Sequence, residues 1–121
     1  MGGVAYLVTL LLFIRMPLKP IEQLRHLAAR IQNLPTTEEG ARELAGLIPE
    51  AVSLLTTLGG QSHSRLALRL HASRLGLQTE VHQYLSAFEQ ATDPREKITR
   101  MTQARAQAHY LLWQVLSAAT R

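Results

Sequence analysis

The side chains able to do chemistry in this chain are chiefly arginines. Thirteen Lys and Arg stand against nine Asp and Glu, for a net charge of +4 and a pI near 10.1. Eleven of those cations are Arg, whose planar guanidinium pairs bidentately with phosphate. Their distribution matters more than their sum. Residues 1–60 hold five cations and five acids, whereas residues 61–121 hold eight cations and four acids. The whole excess therefore falls in the second half. Arg65 and Arg69 are one helical turn apart, Arg74 follows on another face, and Arg95, Lys97, Arg100, Arg105 and Arg121 mark the last helix. Two chemistries fit. One is a solvated face with ion pairs such as Glu96–Arg100 at i, i+4. The other is a phosphate-binding face. Aromatic residues make up 5% of the chain, which disfavours base stacking. No helix-turn-helix signature stands out. What remains is backbone-directed binding by shape and charge.

Arg105 falls on an apolar stripe between Met101 and Leu112. It is expected to snorkel, or to pair with Glu80 or Glu50 across the protein. The alternative is a position lining an anion path in an oligomer. Five histidines (His26, His63, His71, His82 and His109) show no i, i+3 or i, i+4 pair, the spacing that lets two imidazoles share an ion on one helix. They read as surface or core-edge residues. No cysteine is present, so a disulfide scaffold, a thiolate zinc site and a cysteine nucleophile are excluded. There is no Glu-x-x-His of the di-iron type, no glycine-rich phosphate loop and no nucleophile elbow. No cofactor or metal is implied, and the chain is not expected to be an enzyme.

These side chains need helices to position them. With 121 residues, 46% hydrophobic and 18% charged, the chain is long enough for one core and too apolar for global disorder. Residues 1–16 form an apolar extension, with Val4 to Ile14 uncharged. Eleven residues span about 16 Å as a helix, short of a ~30 Å hydrocarbon core. Docking on the core or a partner, or a start assigned too far upstream, is favoured over a membrane anchor or signal peptide. Residues 17–121 are the expected domain.

Four helices follow from the spacing. Pro20 opens the first, with Ile21, Leu24, Leu27 or Ala28, Ile31 and Leu34 on one side. Thr36 or Thr37 caps the second, from about Glu38 to Leu58, and Thr36–Glu39 has capping-box spacing. Pro49 predicts a bend, or a helix that begins there. Gly59-Gly60 reads as a stop. The third runs from about Ser62 to Gln90 on Leu66, Leu70, Leu77, Val81, Tyr84 or Leu85 and Phe88. Leu68, Ala72 and Leu75 widen its apolar stripe, predicting burial against more than one neighbour. Asp93-Pro94 opens the fourth, to about Thr120, with Ile98, Met101, Ala108, Leu112, Val115 and Ala119 in step. The expected fold is all-α, an antiparallel up-down four-helix bundle.

The order Leu34-Pro35-Thr36-Thr37-Glu38-Glu39, then Leu44-Ala45-Gly46-Leu47-Ile48-Pro49-Glu50-Ala51-Val52-Ser53-Leu54, resembles the small bacterial four helix bundle protein family. That family has a Phe-Pro-x-x-Glu turn and a Leu-x-x-x-Ile-x-x-Ala-x-Ser stripe. Gly59-Gly60-Gln61-Ser62 is similar to its turn before the third helix, and Leu111-Leu112-Trp113 to the Leu-Gly-Gly-Trp ending of one branch. The resemblance covers about residues 18–118. Leu34 replaces the family's Phe, the glycines before Trp113 are missing, and an Asn-Ile-Ala-Glu-Gly segment is not legible at residues 56–60. The family includes a protein encoded in intervening sequences of ribosomal RNA genes and the accessory variability protein of diversity-generating retroelements. The latter are basic, barrel-like pentamers that bind nucleic acid and a reverse transcriptase.

The resemblance implies a non-enzymatic, homo-oligomeric accessory protein, pentameric if it follows that branch, binding the RNA or DNA backbone beside a reverse transcriptase. Arg65, Arg69, Arg74, Arg100 and Arg105 are its implied phosphate contacts. A cytoplasmic protein is expected, and a membrane partner is not. The competing expectation is a structural module whose exposed apolar stripe packs on another protein; a membrane-tethered domain held by residues 1–16 is a third.

Overall fold

The computed structural model describes residues 19–60 and 64–119. Every regular element among them is helical. α1 spans Pro20–Gln32, α2 Glu38–Gly60, α3 Ser64–Gly76, α4 His82–Gln90 and α5 Pro94–Ala119, with a π-helical turn at Leu77–Val81. Gly76, Val81 and His82 all keep right-handed helical dihedrals. Thus α3, the π turn and α4 make one continuous rod, and the described residues form four rods. The expected apolar extension, residues 1–16, lies outside the described residues, as does His63.

Local chemistry accounts for the boundaries. Pro20 occupies the first turn of α1, where its missing N–H costs nothing. The N–H of Gly40 donates to Thr37 Oγ1 at 3.2 Å, so Thr37 caps α2. Gly40 then stands where a capping box would need its Glu, and the reciprocal bond suggested by Thr36–Glu39 has no place. The N–H of Arg95 donates to Asp93 Oδ1 at 2.9 Å, which caps α5 as the Asp-Pro pair predicts. α2 runs through Pro49, so no helix begins there, and it continues past the expected Leu58 to Gly60. Pro49 and Ala45, whose carbonyl loses its i+4 donor, are both exposed residues, and such a loss is least costly on an exposed side of a helix.

The rods share one core. Leu24 and Ile31, Leu44, Ala51 and Leu55, Leu77 and Val81, and Met101, Ala104, Ala108, Leu112 and Val115 are nearly or wholly excluded from solvent. α1 packs on α2 and α5, while α3 and α4 pack on α2 and α5. The small Ala104 and Ala108 let neighbouring backbones approach α5 closely. A Cβ on Gly76 would come within 2.9 Å of Leu111 Cδ1, so glycine there permits a tight α3–α5 contact. Beside it the buried Ser73 donates from Oγ to the Leu111 carbonyl at 3.1 Å.

Polar ties close the periphery. Arg30 donates from Nε at 3.0 Å and Nη2 at 2.7 Å to Glu43 Oε1, linking α1 to α2. Gln107 Nε2 donates to Glu80 Oε2 at 2.6 Å, fixing the π turn to α5. Lys97 Nζ donates to the Phe88 carbonyl at 3.0 Å and lies 4.5 Å from that ring's centroid.

The main departure from periodicity is on α3. Leu68, Ala72 and Leu75 do not widen the buried stripe; all three are exposed, Leu68 at 71%. Ile98, expected in the stripe of α5, is also exposed. The α3 stripe narrows because Leu70 and Leu77, with Ser73, already fill the side facing α2 and α5.

Candidate nucleic-acid interface

The five arginines singled out by sequence fall into different settings. Arg65 and Arg69, exposed and one turn apart on α3, line a shallow cleft of about 280 Å³ against the end of α5. Leu66, Trp113, Gln114, Ser117 and Ala118 complete it. Neither arginine has an ion-pair partner among the described residues. Both guanidinium groups are available to an external anion.

The other three are engaged within the protein. Arg74 donates from Nη1 to Thr56 Oγ1 at 3.2 Å, tying α3 to α2, and its Nη2 lies 2.8 Å from His71 Nδ1. Arg100 donates to Gln103 Oε1 at 3.1 Å and pairs with Glu96 at 3.6 Å, the i, i+4 bridge expected from spacing. Its Nε is buried without a partner. Arg105 donates from Nη1 to the Leu34 carbonyl at 2.6 Å. Its partner is thus a main-chain oxygen just beyond α1, in place of the expected Glu80 or Glu50 carboxylate. Glu80 is occupied by Gln107 instead.

The surface around the cleft has a distinct electrostatic character. Neither α3 nor the stretch of α5 beyond Glu96 carries a carboxylate side chain. Arg100 is paired with Glu96 at the start of α5, whereas Arg65 and Arg69 have no carboxylate on their own helix to offset them. Apolar groups stand beside them. Trp113 is 54% exposed and Tyr110 49%, and Tyr110 accepts a hydrogen bond at its hydroxyl from Gln114 Nε2 at 2.7 Å. The exposed Leu68, Ala72 and Leu75 recur at i, i+4 and i+7 and share one side of α3.

The low aromatic content of the chain does not reveal that Trp113 and Tyr110 are exposed. A positional signal was available. Ala108, Leu112 and Val115 define the inward face of α5, and Trp113 follows Leu112 by 100° of helical rotation, which carries it off that face.

Among the described residues no group of His, Asp and Glu is placed to hold a metal ion. His26, His71 and His82 are exposed and His109 half-buried. No helix of the described residues is long and apolar enough to cross a membrane. Comparison with protein families, curated proteins and solved structures finds no match for this chain.

Proposed function

We propose that the chain is a non-enzymatic, basic accessory protein that binds nucleic acid through its phosphate backbone. The observation that carries this reading is the Arg65–Arg69 pair, exposed, adjacent and without an ion-pair partner among the described residues, on a helix with no carboxylate and beside the part of α5 beyond Glu96, which has none either. Arginine in such a setting forms charge-assisted bonds to phosphate at little desolvation cost. The adjacency of the rods, with α1 and the α3–α4 rod each against α2 and α5, together with short connections at 33–37 and 91–93, supports an antiparallel up-down bundle. By resemblance, the partner protein is a diversity-generating retroelement reverse transcriptase and the assembly a homo-oligomer.

Fluorescence anisotropy with labelled RNA and duplex DNA tests the reading. Binding is expected near 50 mM salt and weakens steeply as salt rises. Replacing Arg65 and Arg69 with Glu abolishes it while helical circular dichroism is kept. Absence of binding at low salt by the intact protein would refute the proposal.

A second reading draws on the exposed Leu68, Leu75, Tyr110 and Trp113. Such apolar exposure suits a protein interaction module. That module would show partner-dependent stability and no salt-sensitive affinity for nucleic acid.

A further inference from the structure

We propose that the cleft between α3 and the end of α5 takes an unpaired, single-stranded stretch of nucleic acid, with a base stacked on Trp113 and flanking phosphates on Arg65 and Arg69. This rests on the nucleic-acid reading above and narrows it to a substrate class. Backbone recognition alone asks only for cations. This surface offers more: a large aromatic side chain, 54% exposed, shares one cleft with two arginines one turn apart. Base-on-aromatic stacking combined with a cationic track is the physics of single-strand binding, and it tolerates any sequence because every base has a π face.

A duplex hides its base faces and would set charged backbone against Trp113, leaving the indole's apolar surface unmatched. A single strand can rotate a base out toward the indole while its phosphates stay with the guanidinium groups. Side chains at i and i+4 stand about 5–6 Å apart at Cβ, so both arginines can engage one short segment of strand. The absence of carboxylates from α3 and from α5 beyond Glu96 removes the repulsion that would oppose a polyanion there. An acidic peptide would satisfy the charges but supplies no obligatory planar group for the indole.

Trp113 is the only tryptophan in the chain, so emission excited at the red edge, where tyrosine does not absorb, reports on this site alone. The intact protein is titrated in low salt with a thymidine single strand of about 15 nucleotides, within the usual span of single-strand sites, and with a duplex of equal length. Saturable quenching of Trp113 emission by the single strand and little by the duplex is expected. Trp113→Ala should weaken single-strand binding about tenfold or more by anisotropy. Trp113→Phe should retain most of the affinity, and duplex binding should be unchanged in both. Trp113 is largely exposed, so circular dichroism of the variants should match the parent. If duplex and single strand bind equally and Trp113→Ala alters neither, the stacking site is refuted while backbone binding stands. If neither nucleic acid binds, both proposals fall. If emission shifts instead on dilution of the protein alone, a second copy covers the face, and the stacking site is likewise refuted.

Discussion

Single atoms set the tolerance of this fold at its glycines. A Cβ at Gly40 would collide with the carbonyl oxygen of Pro35 in the turn that leads into α2. That obstacle is main chain and cannot rotate aside. Gly40→Ala is therefore expected to destabilise the protein by roughly 2–3 kcal/mol, the cost of overpacking a tight site. Gly46 lies in the same helix, is exposed, and has open space where its Cβ would go. Gly46→Ala should stabilise by about 1 kcal/mol through helix propensity alone. Urea denaturation of the two variants, with opposite shifts of midpoint, checks the pair. Asp93 is a further point of local control. Its carboxylate caps α5 through the Arg95 N–H, and Asp93→Ala should cost about 1 kcal/mol, read as a lower thermal midpoint.

Elements are joined by groups whose roles were only partly legible in the sequence. The helices themselves were legible. Leu24, Leu27 and Ile31, then Leu44, Leu47, Ala51 and Leu55, are spaced so regularly that burial follows from period. Helix ends were legible where a cap and a proline agree, as at Asp93-Pro94, and less so at Gly59-Gly60, where glycine permits a stop without compelling one. The π turn at Leu77–Val81 has no residue signature of its own. The face of α3 was misread because apolar type alone does not say which neighbour is near; Leu68 and Leu75 have none among the described residues that covers them. The arginines show the same limit. Position on the stripe predicted that Arg105 would need a buried partner, but a carbonyl at the end of α1 serves where a carboxylate was expected. This bond joins α5 to the turn after α1. Arg105→Met should lower stability by roughly 1–2 kcal/mol, since a charged donor to a carbonyl is worth about that much or slightly more when half-buried. Nucleic-acid affinity should be unaffected in the same variant. A loss of affinity with unchanged thermal midpoint would instead make Arg105 a phosphate contact.

At the scale of the whole molecule, charge is segregated by element. The acids sit on α1, α2, the π turn, α4 and the first turns of α5, with Asp93 just before it; α3 and the rest of α5 carry only cations among their charged residues. Arg65 and Arg69 share the Trp113 cleft, whereas Arg74, Arg100 and Arg105 each donate a hydrogen bond within the protein. If phosphate contact is concentrated at the cleft, the salt dependence of binding must be concentrated there as well. Each phosphate neutralised contributes about 0.7 to the slope of log K against log salt for a single strand and about 0.9 for a duplex. Converting both Arg65 and Arg69 to Gln removes two such contacts, so the single-strand slope should become less negative by about 1.4. Arg74→Gln and Arg100→Gln should each leave it within error, although both lower the net charge by the same amount per residue. This comparison separates local contact from a diffuse field, because a purely long-range attraction would respond to any lost cation alike. Equal changes of slope for all four positions would assign binding to the overall charge of the protein and dissolve the cleft as a site.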